Sequence, residues 1–267
     1  MKKISFVITS YNRKKLISNT IESIISQILF FDLCEIIIVD DASTDNTVDY
    51  LYLNYKEYID NKDIKIISLE KNLGVSGAKN EGYINSTLEW VVFIDSDDQL
   101  LPNILEKMIN VLTNTSLPLV FFRCIDQNNN FIGKKFNDNK TINIEEYLEY
   151  TSYGEALTAV NKNIVKEKPY ITELRGYEGI GCSRIINKFG FALLSNLVAR
   201  IYFVDGMDRL SVSSGFLKRM SLLSKGHFLM LKEFGKFMTF KNKFFYLIKA
   251  IAYYVVGNIY NFIKGNK

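Results

Sequence analysis

The chain has 267 residues, 48% of them apolar and 23% charged, with only three prolines, which describes a packed protein and excludes disordered, collagen-like and linker-rich chains. Its single histidine, His227, lies in a Lys-rich apolar stretch, so zinc sites and Ser-His-Asp or Cys-His catalysis lack their central group. The net charge of +4 is uneven, because residues 216–267 hold nine Lys and one Arg against Glu233 and carry +9, leaving −5 for residues 1–215. Cys34, Cys124 and Cys182 are far apart and each is flanked by apolar residues, as expected of buried free thiols in a reducing compartment.

The first segment, MKKISFVITSYN, looks superficially like a signal peptide. Its apolar run is interrupted too early by Thr9, Ser10, Tyr11 and Asn12, and no small-residue cleavage site follows, so it reads as a buried strand. Further strand-length apolar runs occupy 34–40, 64–70, 90–95 and 117–122. Helical spacing fills 14–28, 44–58 and 77–88; Leu16, Ile17, Ile21, Ile24, Ile25 and Ile28 form one apolar face. This alternation predicts a parallel sheet covered by helices on both faces, with ligands at the carboxyl ends of the strands. From Phe216 onward the pattern changes to long amphipathic helices. The stretch 244–263 has the length of a membrane span, but Lys249, Asn258 and Asn261 interrupt it, so a helix lying on an anionic membrane surface fits the composition better. A dimer interface and packing onto the rest of the chain are the alternatives.

Three expected strand ends carry polar clusters: Thr9-Ser10-Tyr11-Asn12, the run 40–45 that begins Asp40-Asp41, and Asp95-Ser96-Asp97-Asp98. One such cluster reads as a helix cap. Three at equivalent ends of one sheet, two with adjacent carboxylates that repel each other, call for a compensating cation, most simply a divalent ion shared with substrate phosphates. The segment 72–80, Asn-Leu-Gly-Val-Ser-Gly-Ala-Lys-Asn, reads as a loop entering a helix N-terminus suited to an anion; it is neither a P-loop nor a dinucleotide fingerprint.

Together, Val-Ile-Thr-Ser-Tyr-Asn at 7–12, the acidic run at 39–46, the 72–80 segment and Phe-Ile-Asp-Ser-Asp-Asp followed by Pro102 resemble the ordered motifs of family 2 glycosyltransferases. The likeness is dense over residues 1–125 and thins beyond. It implies a GT-A type α/β nucleotide-binding sheet flanked by helices over 1–215, with a nucleotide-sugar half (1–125) and an acceptor half (126–215), followed by a basic helical tail (216–267). It also implies inverting transfer of one sugar from a nucleotide-sugar, expected to be a UDP-sugar. The implied acceptor is a glycan or lipid-linked chain of surface polysaccharide synthesis at the inner membrane face. On this likeness Thr9, Tyr11 and Asp41 contact the base, Asp40 fixes the loop, and Lys79 stands where many relatives have Arg. Asp95 and Ser96 belong to the DxD element, with Asp95 on the ribose, and Asp97 and Asp98 hold Mg2+ or Mn2+. Relatives carry a Glu-Asp pair whose carboxylate is the base. Here Glu178 fits that position but Gly179 replaces the aspartate, and Glu173 is the reserve. The Gln-X-X-Arg-Trp element of processive synthases is missing. A homodimer is a further possibility for the tail, and nucleic-acid binding is disfavoured because its aromatics sit in apolar runs. The competing readings are a non-catalytic nucleotide-sugar binding protein and a sugar-phosphate nucleotidyltransferase. The latter needs a Gly-rich basic loop after the first strand, where this chain has Ser10-Tyr11-Asn12-Arg13-Lys14-Lys15.

Overall fold

The computed structural model describes residues 3–149, 155–203 and 213–265. Four parallel strands form the N-terminal part of the sheet: β1 (Ile4–Ser10), β2 (Cys34–Asp40), β3 (Ile64–Ser68) and β4 (Trp90–Asp95), in the order β3-β2-β1-β4. They are followed in sequence by β5 (Gln99–Leu100), β6 (Leu119–Asp126), β7 (Lys140–Ile142), β8 (Ala156–Asn161) and β9 (Ala192–Tyr202). The sheet continues from β4 through β8, β6 and β9 to β5, with β7 also on β9. The expected parallel sheet holds for the first four strands, whereas β8 runs antiparallel to both β4 and β6.

Strand alternation gives the sheet two cores. Ile4, Phe6, Ile8, Ile36, Ile38, Val92 and Ile94 face one side, where they meet Ile17, Ile21 and Ile24 of α1 (Ile17–Ile25). Val7, Ile37, Val39, Val91 and Phe93 face the other. The predicted helix at 44–58 is broken at Tyr55 into α3 (Thr47–Asn54) and α4 (Lys56–Asp60), after the short α2 (Phe30–Leu33). The second core is covered by α5 (Gly74–Asn85) and α8 (Glu178–Phe189); α6 (Leu105–Thr113) and α7 (Ile144–Leu148) complete the layers. A Cβ at Gly82 would stand 2.2 Å from Val7 Cγ1, so α5 lies directly on β1. Gly181 matters in the same way. A Cβ there would fall 2.1 Å from the Pro169 carbonyl oxygen, a backbone atom that cannot step aside. Gly181→Ala is therefore expected to cost about 1–3 kcal/mol by overpacking, read as a lower urea midpoint; an unchanged midpoint would show that α8 is free to move.

The tail forms a helical hairpin of α9 (Ser213–Phe234) and α10 (Phe240–Gly265). Met230 and Phe234 of α9 enter the second core with Ile180 and Ile186, and Arg184 donates to both carboxylate oxygens of Glu233 at 2.8 and 2.6 Å. Gly226 lets α9 approach the Tyr177 ring, where a Cβ would be 2.7 Å from Cδ2. His227 packs edge-on to Tyr177 and Tyr253 and tilted against Tyr246, with Nδ1 at the Leu223 carbonyl, and burial pushes its pKa down. Among the described residues no helix is long and apolar enough to cross a membrane.

Candidate active site

Register places the three polar clusters together: Ser10 pairs with Asp40, and Thr9 pairs with both Val39 and Asp95. The loops beyond the strands are tied to one another. Asn12, at φ 54°, donates through its backbone N–H to Ser43 Oγ at 2.8 Å and accepts from the Thr44 N–H at 2.8 Å. Thr9 is buried at this edge, while Tyr11 stands out into solvent at 47% exposure.

Asp40 and Asp41 are both buried but have different partners. Asp41 accepts from the backbone N–H groups of Leu73 at 2.6 Å and Gly74 at 2.8 Å, one on each oxygen. It thereby satisfies orphan donors at the start of α5, and its charge suits that end of the helix. Burial raises its pKa while those two N–H groups pull it down. Asp40 accepts from the Ser43 N–H through Oδ2, but its buried Oδ1 has no hydrogen-bond partner; neither has the buried Ser10 Oγ on the neighbouring strand. Buried polar atoms left unpaired are costly, and two side by side mark a place for a ligand. Asp41, expected at the base, thus has one backbone donor on each oxygen, while Asp40, expected to fix the loop, holds the Ser43 N–H through Oδ2 and keeps Oδ1 open. Ser10 went unassigned in the sequence because a hydroxyl at a strand end reads as an ordinary cap.

Lys79, buried in the middle of α5, reaches Asp95 Oδ1 at 3.0 Å and Glu178 Oε1 at 3.6 Å. Burial disfavours its charge, yet the two carboxylates more than offset this and hold its pKa above the ordinary lysine value. The structure thus brings together the expected donor-side aspartate and the expected base, 83 residues apart in sequence. The same helix fixes the approach to Glu178. Asn80 Nδ2 donates to the Tyr170 carbonyl at 2.8 Å and its Oδ1 accepts from the Tyr170 N–H at 3.0 Å; Ser76 Oγ accepts from the Gly176 N–H at 2.9 Å. Arg175 folds over Gly74 and donates to Asn72, and Arg219 of α9 donates to the Arg175 carbonyl. Glu173 is exposed, outside this cluster.

Asp98, expected at the metal, has a protein cation beside it. Asp98 is 1% exposed and pairs with buried Arg200 of β9, Nη1 to Oδ2 at 2.9 Å, while Oδ1 accepts from the Phe203 N–H at 3.4 Å. Burial raises its pKa, Arg200 opposes that rise, and Asp95 and Asp97 add to it. Arg200 is further held by Cys124 Sγ, an acceptor at 3.2 Å. Asp95 and Asp97 remain half-buried at the rim and Ser96 is buried between them. Among the described residues no group of three or more His, Cys, Asp or Glu could hold a metal by itself. Two rim carboxylates nevertheless fit a hard divalent ion of the kind that keeps water and substrate phosphate in its shell.

The family described as Glycosyl transferase family 2 matches residues 5–167. The chain is 27% identical over 219 residues to a GalNAc(5)-diNAcBac-PP-undecaprenol beta-1,3-glucosyltransferase of Campylobacter jejuni, covering 80% of this chain and 69% of that one. It is 29% identical over 157 residues to the UDP-Glc:alpha-D-GlcNAc-diphosphoundecaprenol beta-1,3-glucosyltransferase WfgD of Escherichia coli, covering 59% of each. With a poly-beta-1,6-N-acetyl-D-glucosamine synthase of Staphylococcus epidermidis it shares 37% identity over 94 residues, 35% of this chain and only 21% of that one. Among solved structures, S. aureus TarS 1–349 in complex with UDP-GlcNAc superposes with a TM-score of 0.69 at 15% identity, covering 86% of this chain and 66% of that one. The mannosyltransferase PcManGT from Pyrobaculum calidifontis, in complex with GDP-Man and Mn2+, gives 0.64 at 16% identity, covering 86% and 64%. At these identities the likeness to solved structures establishes the GT-A fold alone.

Proposed function

The chain belongs to glycosyl transferase family 2 and is a glycosyltransferase, and from that premise we propose that it transfers one sugar, with inversion, from a UDP-sugar to a lipid-linked glycan. The observation that carries this reading is the Asp95-Lys79-Glu178 cluster, which joins the donor edge of the sheet to a carboxylate on the acceptor side. The two relatives named for undecaprenol-linked acceptors support the acceptor class, and both belong by name to glycan assembly on lipid carriers.

In this reading Asp40 Oδ1 accepts from the imide N–H of uracil and Ser10 Oγ provides a second polar contact, while Thr9 and Tyr11 border the base. Asp95 holds the ribose. Asp97, with Asp95, would hold Mg2+ or Mn2+, which when bound supplies positive charge to the departing diphosphate. Glu178 accepts the proton of the acceptor hydroxyl as that oxygen attacks the anomeric carbon from the face opposite the leaving nucleotide. Lys79 places positive charge between the two carboxylates and offsets their mutual repulsion. The tail seats the enzyme peripherally on the inner face of the cell membrane, where such an acceptor resides.

Calorimetric titration with UDP tests the donor side. The wild type is expected to bind UDP more tightly in Mn2+ than in EDTA, and Asp97→Ala to lose that difference while keeping the EDTA affinity. Equal wild-type affinity in both conditions would remove the metal from the reading.

A further inference from the structure

The side of α10 that faces α9 is fixed by contacts. Ser224 Oγ donates to the Ala250 carbonyl at 2.8 Å, a Cβ at Gly257 would lie 3.0 Å from the Ser221 backbone nitrogen, and Tyr246 and Tyr253 pack on His227. On the opposite side run Phe244, Ile248, Ile251, Val255, Ile259 and Phe262, spaced four, three, four, four and three residues apart and 48–72% exposed. A helix on a water-soluble surface carries its charges along that outermost line. Here the line is apolar, and the cations sit beside it: Lys249 Nζ lies 4.2 Å from the Phe245 ring centroid, and Lys243 lines the helix edge. Between Phe240 and Gly265 there are four lysines and no Asp or Glu. Where α9 gives way to α10, Leu231, Phe240, Phe244 and Leu247 together with Lys236 and Lys243 line a cavity of about 410 Å³.

We propose that α10 lies flat in the interface of an anionic bilayer, its outer stripe among the acyl chains and its lysines on the headgroups. Apolar stripe, flanking lysines and missing acids are the composition of such a helix. A second copy of the chain fits less well. Two such stripes packed face to face would bring together rims that hold only lysines, with no carboxylate to answer them, and Glu233 of α9 is already taken by Arg184. The inference rests on the peripheral placement proposed above and assigns it to one helix, leaving α9 as the part that packs on the enzyme.

Flotation of the full chain with phosphatidylcholine vesicles, with and without phosphatidylglycerol, tests this. The wild type is expected to float with the phosphatidylglycerol vesicles and to be released by high salt only in part. Ile251→Asp with Val255→Asp should lower the bound fraction roughly tenfold or more, since two apolar anchors become charges. Lys241→Glu, Lys243→Glu and Lys249→Glu together should abolish the preference for the anionic vesicles. Ile251, Val255, Lys241 and Lys243 are exposed and Lys249 is half-buried at the edge of α10, so both variants are expected to keep the wild-type melting temperature and UDP affinity. Vesicle binding is read apart from sugar transfer, so an inactive enzyme that floats leaves this proposal standing, and an active one that does not float overturns it alone. Wild-type binding equal to that of the Asp variant, or a wild-type dimer that the Asp variant dissociates without any vesicle binding, also overturns it.

Discussion

Glu178→Gln is expected to bind a UDP-sugar with wild-type affinity and to transfer sugar about 10² to 10⁴ times more slowly, the usual cost of losing a positioned general base. The amide keeps the size of the side chain and its place at the start of α8 but cannot take the proton. Glu178 lies 3.6 Å from Lys79 and is held by the segment that Ser76 and Asn80 fasten to α5, so the replacement is not expected to loosen the fold. Glu173→Gln, changing an exposed side chain outside the cluster, should stay near wild-type turnover. Near-normal transfer by Glu178→Gln would remove it as the base. Transfer absent already in the wild type across a panel of UDP-sugars and lipid-linked acceptors would instead favour a binding protein. Gly179, where the family resemblance leads to the expectation of an aspartate, is not imposed by packing, because a Cβ there would meet nothing nearer than the Tyr147 hydroxyl at 3.9 Å.

Arg200→Met should be the most damaging of these changes to stability. It leaves the Asp98 carboxylate buried with the Phe203 N–H and without its cation. Breaking one side of such a buried pair typically costs about 3–5 kcal/mol, whereas replacing both sides by well-packed apolar groups is often neutral. The double variant Arg200→Met with Asp98→Leu is therefore expected to recover most of the loss in urea unfolding. No recovery would mean that Arg200 acts through Cys124 or through packing against Tyr202 instead. Asp97 lies next in sequence to this pair, so Arg200→Met should also weaken Mn2+-dependent UDP binding.

The parts of the fold legible in the sequence were those set by local pattern. Continuous apolar runs of strand length placed β1, β2 and β4, and the strand register sets the polar residues at their ends side by side. Glu178 stands out in the sequence only by its likeness to a family position, and the structure sets it 3.6 Å from Lys79. What could not be read was the division of labour between adjacent like residues. Asp40 and Asp41 look equivalent in sequence, and only the arrival of the Leu73 and Gly74 N–H groups from a distant loop separates them. Asp97 and Asp98 are separated in the same way by Arg200, about a hundred residues downstream on β9. The apolar stripe of α10 was visible as a periodicity, but not which side α9 would cover.

The place of β8 has a consequence for how the chain acquires its shape. It lies between β4 and β6, antiparallel to both, although β4 and β6 precede it in sequence. Until residues 156–161 have been made, β4 and β6 each present an unpaired edge on that side, and such edges invite wrong partners. Residues 1–125 and 126–215 are thus not units that fold in succession. A chain ending near residue 125 would contain Asp40, Asp41, Asp95, Asp97 and Asp98, yet its sheet would stop at β4, leaving the apolar strand β6 without the partners that cover it.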